Sequence, residues 1–245
     1  MFFAKEASDM VQKLQTSALI FDIDGTLWDI RALIARVWSD AMSEYMNRPV
    51  RIDVEQLTPL LGKPMPEIFR GLFPGQTEAA YREIAASCEQ KQAEAMKTEG
   101  GRLYPGVAET LPLLAERYPL YIVSNCQCGY IEDFLRLSGL SSFFRDWLCF
   151  GDTGTSKGQT ILTLMKKAGL HKNSSPVCEN DLNAYPAVYL GDIMGDALAC
   201  REAGIPFIWA SYGFGSVDRS YYTEKIGQFS ELPALFSDVR SALPA

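Results

Sequence analysis

The sequence predicts a doubly wound α/β fold, that is, a Rossmann-like parallel sheet with an inserted small helical cap domain. Three observations predict it. Short, continuous apolar runs recur along the chain, as is typical of strands that are buried on both faces of a parallel sheet. Amphipathic helical patterns lie between these runs. One long segment after the first run contains helical patterns and no convincing strand.

Five apolar runs predict the strands of the core. They are residues 18–21, 120–123, 147–150, 187–190 and 206–209. Apolar residues at helical spacing follow or precede each run, and Gly139, Gly169 and Gly204 each follow such a stretch. Glycine favours the left-handed conformation that ends many helices, so these positions predict helix C-termini.

The inserted segment follows the first strand. Residues 30–46 carry apolar side chains at helical spacing, and a second helical pattern begins near Tyr81. Gly100, Gly101, Pro105 and Gly106 mark the return to the core. We therefore expect a catalytic α/β core formed by residues 1–28 and 100–245, and a helical cap formed by residues 29–99.

Composition and charge exclude several classes of protein. The chain has 245 residues, with 23 basic and 30 acidic side chains, which gives a net charge of −7. Without a basic cluster, nucleic-acid binding is not expected. No apolar run reaches the roughly 18 residues that a membrane span needs, and Glu6 and Asp9 near the start argue against a signal peptide. We expect a cytoplasmic protein, as a monomer or a homodimer.

The six cysteines and the single histidine limit the chemistry further. No two cysteines form a C-x-x-C pair, which argues against zinc, and we expect reduced thiols in a reducing compartment. A serine-protease-type triad or a multi-histidine metal site would need histidines that this chain, with His171 alone, does not have.

The most specific motif is Phe21-Asp22-Ile23-Asp24-Gly25-Thr26, which follows the first strand directly. Ligands of open α/β sheets bind beyond the carboxyl ends of the strands. Two carboxylates at that edge repel each other unless a cation or a proton lies between them. Gly25 permits a turn that brings both acids over one site.

Three weaker signals follow later strands. Ser124 and Asn125 could hold a phosphoryl oxygen through a hydroxyl and backbone N–H groups. Lys157 begins a helix, where a cation opposes the helix dipole and is therefore unusual. Asp192 and Asp196 are four residues apart, so a helix starting there would place both on one face, as paired metal ligands. Asp152 also follows a strand but has no acid four residues later, and we assign it to a loop.

These four signals, in this order along the chain, resemble the haloacid dehalogenase superfamily, in its aspartate-nucleophile phosphatase branch with a helical cap. The similarity spans roughly residues 17–235 and is closest to phosphoglycolate-phosphatase-like and β-phosphoglucomutase-like members. Two positions depart from the common pattern: Gly158 stands where many relatives have proline, and Ile193 where a small polar residue is frequent.

The resemblance implies a role for each of these residues. Asp22 would attack phosphorus and form an aspartyl-phosphate. Asp24 would protonate the leaving oxygen and later deprotonate water, with a pKa that neighbouring Asp22 would help to raise. Mg²⁺ would be held by the Asp22 carboxylate, the Asp24 backbone carbonyl and Asp192, with Asp196 behind them.

The transferring phosphoryl group would have its own contacts. The resemblance implies that Ser124, the Asn125 backbone and Lys157 hold it, and Lys157 would also offset the charge of the acids. In the cap, Lys63 lies in a segment that looks like the specificity loop of relatives and could meet an anionic leaving group. We thus expect a Mg²⁺-dependent hydrolase of a small phosphorylated metabolite.

Other functions remain open at this point. A phosphomutase would use the same aspartate and return the phosphoryl group to a sugar. A non-catalytic binding protein could keep the fold, although the intact acids and Lys157 argue against it. A receiver-like phosphoacceptor domain ranks lower, because such domains are about half this length and have no helical cap.

Overall fold

A computed structural model of the chain describes residues 13–63, 65–171 and 184–236. The strands of the described residues are β1 Gln15–Thr16, β2 Leu19–Phe21, β3 Trp28–Asp29, β4 Arg102–Leu103, β5 Leu120–Ser124, β6 Phe144–Cys149, β7 Ala184–Tyr185, β8 Val188–Gly191, β9 Phe207–Ala210 and β10 Glu224–Ile226. Six of them form a parallel sheet in the order β10-β9-β8-β2-β5-β6. The predicted fold class is confirmed.

The α-helices of the described residues separate these strands. They are α1 Arg31–Tyr45, α2 Val54–Leu57, α3 Met65–Leu72, α4 Glu78–Ala95, α5 Val107–Ala115, α6 Tyr130–Ser138, α7 Phe150–Thr153, α8 Lys157–Lys167 and α9 Met194–Ala203. Short 3₁₀ turns occur at Thr58–Leu60, Ser141–Phe143, Arg219–Tyr221 and Phe229–Leu235.

The five predicted strands are present, with shifted ends. The largest difference is at β6, which begins three residues before the predicted start and ends at Cys149. Phe150, predicted as the last residue of that strand, instead begins α7, and 44% of its surface is exposed. The aromatic side chain of Phe150 extends the apolar run in the sequence, which is why the run predicts one residue too many for the strand. In the structure this side chain lines a cleft.

The central strand β2 explains why the apolar runs are continuous. It pairs in parallel with both β5 and β8, so Leu19 lies opposite Leu120 and Val188. Leu19 and Phe21 point into one hydrophobic cluster, and Ile20 points into a second cluster across the sheet. Because side chains alternate between the two faces and both faces are buried, every position of the strand is apolar.

Strands β3 and β4 form a small antiparallel pair that the sequence did not indicate. Trp28 lies opposite Leu103, and Asp29 lies opposite Arg102. The chain leaves the core through β3, forms α1 to α4, and returns through β4. Two-residue strands leave too short a pattern to detect. The cap limits of 29 and 99 stay a prediction.

The longest helices of the inserted segment, α1 and α4, lie side by side. The predicted helix 30–46 is α1, and the pattern that begins near Tyr81 belongs to α4. Trp38 of α1 is almost fully buried, donates a hydrogen bond of 3.0 Å to Gln92 of α4, and packs on Phe69 of α3. The apolar stripe of α1 is thus the core of the inserted segment. None of the helices formed by the described residues has the length and apolarity needed to cross a membrane.

Candidate active site

A cleft with a volume of about 1010 Å³ lies between the carboxyl ends of the core strands and the inserted helices. From the core, it is lined by residues that the sequence singled out: Asp22, Asp24, Ser124, Asn125, Lys157 and Asp192. From the inserted segment, it is lined mainly by apolar side chains, together with Lys63, Glu89 and Gln92. The open α/β sheet therefore gathers the predicted residues at one edge.

Asp22 is held at the end of β2 by the sheet itself. Its backbone N–H donates to the carbonyl of Leu190 in β8, at 2.9 Å. The chain then turns tightly, with a hydrogen bond from the N–H of Leu27 to the carbonyl of Ile23, and Gly25 adopts a φ of +81°. A side chain at Gly25 would also collide with Asp192, whose Oδ2 lies 2.0 Å from the position of a Cβ. Glycine is therefore required at this position for two reasons, the positive φ and the closeness of Asp192.

The carboxylate of Asp22 is buried and only partly satisfied. Its Oδ2 lies 3.0 Å from the Lys157 ammonium, and its Oδ1 is buried without a hydrogen-bond partner. Burial raises the pKa of Asp22 to about 6; the attraction of Lys157 opposes this rise, and the charges of Asp196 and Asp24 add to it. A buried carboxylate oxygen without a hydrogen-bond partner can accept a ligand or a cation.

Lys157 is the first residue of α8 and points inward between two acids. Its ammonium lies 2.6 Å from Asp196 Oδ1, in addition to its contact with Asp22. Burial alone would lower its pKa, but Asp196 and Asp22 hold it above the ordinary value, so Lys157 is charged. The helix dipole disfavours a cation here, and the two carboxylates outweigh it.

Asp192 and Asp196 occupy the turn between β8 and α9. Asp196 lies in the first turn of the helix, and its Oδ2 accepts hydrogen bonds from the N–H groups of Asp192 and Ile193, at 3.0 and 3.2 Å. Asp192 Oδ2 accepts one from the N–H of Phe214, at 2.7 Å. Burial, followed by the charges of Asp196 and Asp22, raises the pKa of Asp192 well above its usual range.

Asp24 has surroundings that the sequence did not indicate. Its Oδ1 accepts hydrogen bonds from the Trp28 indole at 2.8 Å and from the Tyr130 hydroxyl at 2.5 Å. Burial raises the pKa of Asp24, and these two donors partly oppose the rise. The sequence predicted Asp22 as the cause of the raised pKa, but burial is the main cause, with a smaller contribution from the charge of Asp29. Tyr130 begins α6, six residues after Ser124, and nothing in its pattern distinguishes it from an ordinary core aromatic residue.

Ser124 and Asn125 lie at the carboxyl end of β5, the strand that pairs with β2. Ser124 is buried and is the last residue of the strand, and Asn125 is exposed in the loop that follows. Both line the same cleft as Asp22 and Lys157. The structure thus brings the hydroxyl, the lysine and the acids to one cavity.

Lys63 lies across the cleft, in the turn before α3. Its side chain is exposed and lines the cleft. The adjacent Gly62 has a φ of +85°, and the Cδ1 atom of Ile193 lies only 2.4 Å from the position of a Cβ at Gly62. Ile193 directly follows Asp192, so this turn of the inserted segment rests against the residue beside the acidic cluster.

The acidic cluster has the chemistry of a divalent cation site. Asp22, Asp192 and Asp196 each offer a carboxylate oxygen, and these atoms lie within 4.8 Å of one another. Among the residues that the structure describes, Lys157 provides the one ammonium in contact with this set, which leaves the three acids with excess negative charge. The unpartnered Oδ1 of Asp22 is available to a ligand. Hard cations prefer such oxygen donors. The residues present therefore fit a divalent metal ion.

Comparison with known proteins assigns the family. The family model of the haloacid dehalogenase-like hydrolases matches residues 19–210, which include the acids, Ser124 and Lys157. The chain belongs to this family. The family resemblance predicted from the sequence is confirmed, and so is its enzyme class, a phosphatase.

Curated relatives of this haloacid dehalogenase-like hydrolase have several names. A phosphoglycolate phosphatase from Rhodobacter capsulatus is 28% identical over 89% of this chain and 95% of its own length. A 5′-nucleotidase from Pseudomonas aeruginosa is 24% identical over 89% of this chain and 92% of its own. A pyrophosphatase from Bacillus velezensis is 25% identical over 78% and 81%.

Solved structures support the same fold. A haloacid dehalogenase-like family protein from Streptococcus pneumoniae superposes with a TM-score of 0.71, at 20% identity, over 91% of this chain and 99% of its own. CbbY from Rhodobacter sphaeroides, solved with phosphate, gives a TM-score of 0.68 at 19% identity over 88% and 96%.

Both departures from the common pattern of the haloacid dehalogenase superfamily have local structural contacts. A Cβ at Gly158 would lie 2.3 Å from Glu202 Oε2, so Glu202 occupies the space that a side chain would need. The same carboxylate accepts hydrogen bonds from Ser156 and Gln159 around the start of α8. Ile193 fills the space beside Gly62 described above. Neither change removes a group from the acidic cluster.

Proposed function

We propose that the protein is a Mg²⁺-dependent phosphatase of small phosphorylated metabolites that works through an aspartyl-phosphate on Asp22. One observation carries the proposal: a buried carboxylate that contacts a buried lysine through one oxygen and has no partner at the other. A carboxylate in this setting is poised to accept phosphorus once its charge is stabilised. The names of the relatives support the same reaction class.

The first step would transfer the phosphoryl group to the enzyme. An oxygen of Asp22 bonds to phosphorus while the bond from phosphorus to the leaving oxygen breaks. Asp24 gives its proton to that oxygen, and the burial that raises the pKa of Asp24 favours the protonated form that this step needs. Lys157 and the groups at Ser124 and Asn125 would stabilise the charge on the transferring oxygens.

The second step would restore the enzyme. Asp24, now ionised, takes a proton from water as the water oxygen bonds to phosphorus, and the bond between phosphorus and Asp22 breaks. Asp22, Asp192 and the Asp24 backbone carbonyl would hold Mg²⁺, with Asp196 behind them. When bound, the cation would stabilise negative charge on the phosphoryl oxygens.

We further propose that residues 29–99 act as the cap that covers this site. The contact between Gly62 and Ile193 and the shared cleft support this role. A cover of this kind would keep bulk water away during transfer and would restrict the substrate to small molecules. Lys63 would then face the leaving group of the substrate, and its ammonium would attract a second anionic group on that part of the substrate.

A panel of phosphate monoesters tests the proposal. It includes phosphoglycolate, nucleoside 5′-monophosphates and sugar phosphates, with pyrophosphate added, in the presence of Mg²⁺. We expect release of inorganic phosphate, which Asp22→Asn abolishes. Asp133→Asn, a cleft carboxylate outside the proposed chemistry, should retain turnover. Full activity in Asp22→Asn would refute the role of Asp22 as the nucleophile. Isomerisation of a sugar phosphate without phosphate release would indicate a phosphomutase instead.

Two further variants test the intermediate and the cap contact. With p-nitrophenyl phosphate, whose leaving group needs no proton from Asp24, Asp24→Asn should slow mainly the hydrolysis of the intermediate, so that mass spectrometry finds phosphate on Asp22 after rapid quenching. Lys63→Ala should raise KM for substrates with a second anionic group more than for those without one. An equal change in KM for both substrate classes would remove Lys63 from recognition.

A further inference from the structure

Three thiols and a carboxylate lie close together at the carboxyl ends of β5 and β6. Cys126 and Cys128 belong to the loop after β5, Cys149 ends β6, and Asp152 lies in α7. The sulfur atoms of Cys128 and Cys149 and a carboxylate oxygen of Asp152 all lie within 4.8 Å of one another. Cys128 Sγ is 3.5 Å from Asp152 Oδ1. This constellation has no part in the proposed phosphatase chemistry.

The backbone holds these groups together. The N–H of Gly151 donates to the carbonyl of Cys126 at 3.0 Å. A Cβ at Gly151 would lie 2.3 Å from the backbone nitrogen of Cys128, so the two loops approach more closely than any other residue would allow. Asp152 Oδ2 also accepts a hydrogen bond of 2.8 Å from the N–H of Cys149. The side chains therefore converge on a preformed framework.

We propose that Cys128, Cys149 and Asp152 form a binding site for a thiophilic divalent cation, with Zn²⁺ as the best match. Zinc bonds are about 2.3 Å to sulfur and about 2.0–2.2 Å to carboxylate oxygen, which places neighbouring ligands of a tetrahedral ion roughly 3.5–3.8 Å apart. The 3.5 Å between Cys128 Sγ and Asp152 Oδ1 agrees with that spacing. Three protein ligands leave a fourth position for water or another donor.

The donor set separates this site from the acidic cluster. Asp22, Asp192 and Asp196 offer only oxygen, which suits Mg²⁺, whereas two thiolates select softer cations. The sulfur of Cys149 accepts hydrogen bonds from the Cys126 thiol and from the backbone N–H of Asp152, and these contacts fix its position beside Cys128 and Asp152. Cys128 and Asp152 are exposed, so a cation can enter from solvent.

An ion at this site would restrain the segment that leads from β5 to Tyr130, the residue that contacts Asp24. Cys128 lies between Asn125, in the loop after β5, and Tyr130, whose hydroxyl donates to Asp24. Tying Cys128 to Cys149 and Asp152 would fix that loop against β6 and α7. Cation binding would then stabilise the loop on which the position of Tyr130 depends.

Spectroscopic titration of the reduced, chelator-treated full chain tests the site without relying on phosphatase activity. Saturating Mg²⁺ first occupies the acidic cluster, and Co²⁺ is then added as a probe. We expect one equivalent to produce thiolate-to-cobalt charge-transfer absorption in the near ultraviolet, and one equivalent of Zn²⁺ to abolish it. Cys128→Ser and Asp152→Asn should each weaken Co²⁺ binding by at least about tenfold.

Matched variants keep the result interpretable. Cys88→Ala removes a buried thiol from α4 of the inserted segment and should leave the titration unchanged, as should Asp146→Asn on β6. The proposal is overturned if no charge-transfer band appears, if the band persists unchanged in Cys128→Ser, or if Cys88→Ala weakens it equally. Peptide mapping of the non-reduced chain that finds Cys128 and Cys149 in one disulfide would also overturn it.

Discussion

Replacing the proposed nucleophile should make the metal-free protein more stable while it abolishes turnover. Asp22 is 5% exposed, and burial raises its pKa to about 6, even though Lys157 lies 3.0 Å away. The folded, metal-free state therefore holds this carboxylate at a cost in free energy. Asp22→Asn keeps the size and shape of the side chain and removes its charge. Lys157 retains its contact with Asp196 in the variant.

The size of the effect follows from the pKa. Between the ordinary value of 3.8 and the value of about 6, the charged form is disfavoured by on the order of 3 kcal/mol, at about 1.4 kcal/mol for each pH unit. For a chain of this size, each kcal/mol shifts the melting temperature by about 2–4 °C, so we expect Asp22→Asn to melt roughly 6–12 °C higher.

The stability difference between Asp22→Asn and the wild type depends on pH. Below pH 3.8, Asp22 is protonated in the folded and the unfolded states, so it contributes no difference between the proteins. As the pH rises from 3.8 to about 6, the unfolded state releases its proton first, and the wild type loses stability relative to the variant. The advantage of Asp22→Asn should grow across this window and stay constant above it.

Thermal unfolding in a chelating buffer, at a series of pH values from 4 to 8, measures this difference. Asp29→Asn is a control of opposite sign. Burial raises the pKa of Asp29, but its hydrogen bonds and ion pair with Arg31 outweigh burial and lower it, so its loss should destabilise the fold. Mg²⁺ should reduce the difference in melting temperature between wild type and Asp22→Asn, because it binds the wild type more tightly and so stabilises it more. A variant that is no more stable than wild type at pH 7, or a gap independent of pH, would refute the reasoning.

Three more variants test single contacts. Tyr130→Phe removes a donor that stabilises the charged form of Asp24, so the pKa assigned to Asp24 in a pH–rate profile should rise, and an unchanged profile would contradict this role. Lys157→Met leaves two buried acids without their cation and should lower the free energy of unfolding by about 3–5 kcal/mol, measured by denaturant titration, with a smaller loss in Lys157→Arg. Gly25→Ala places a methyl group against Asp192 and should weaken Mg²⁺ binding in calorimetry; unaltered affinity would show that the turn can relax.

The sequence predicted the core because its signals are local and repeated. A strand such as β2, buried on both faces, must be apolar at every position, and an acid directly after it must lie at the carboxyl edge of the sheet. Parallel order then brings Asp22, Lys157 and Asp192 together, although they are far apart along the chain. The topology of the fold, more than any single motif, made these residues predictable.

The contacts around Asp24 and the thiols were not predictable in the same way. Tyr130 donates a hydrogen bond to Asp24 although the two are 106 positions apart in the sequence, and nothing in the sequence around either residue predicts this contact. Cys128 and Cys149 are 21 residues apart and follow different strands, so their spacing in the sequence does not indicate that they meet. Cys178 lies outside the described residues. Side-chain contacts between distant loops need coordinates, because they depend on where each loop turns.

The two acids of the motif differ in what surrounds them, and this difference suits their different roles. Burial raises the pKa of both Asp22 and Asp24. Asp22 faces an ammonium group and, in the proposed enzyme, a divalent cation, and both favour the ionised form that attacks phosphorus. Asp24 accepts hydrogen bonds from two neutral donors, Trp28 and Tyr130, and these oppose the rise in its pKa more than the charge of Lys157 does. An acid that must give up a proton in one step and take one back in the next needs an intermediate pKa, and here the effect of burial is opposed mainly by neutral hydrogen bonds.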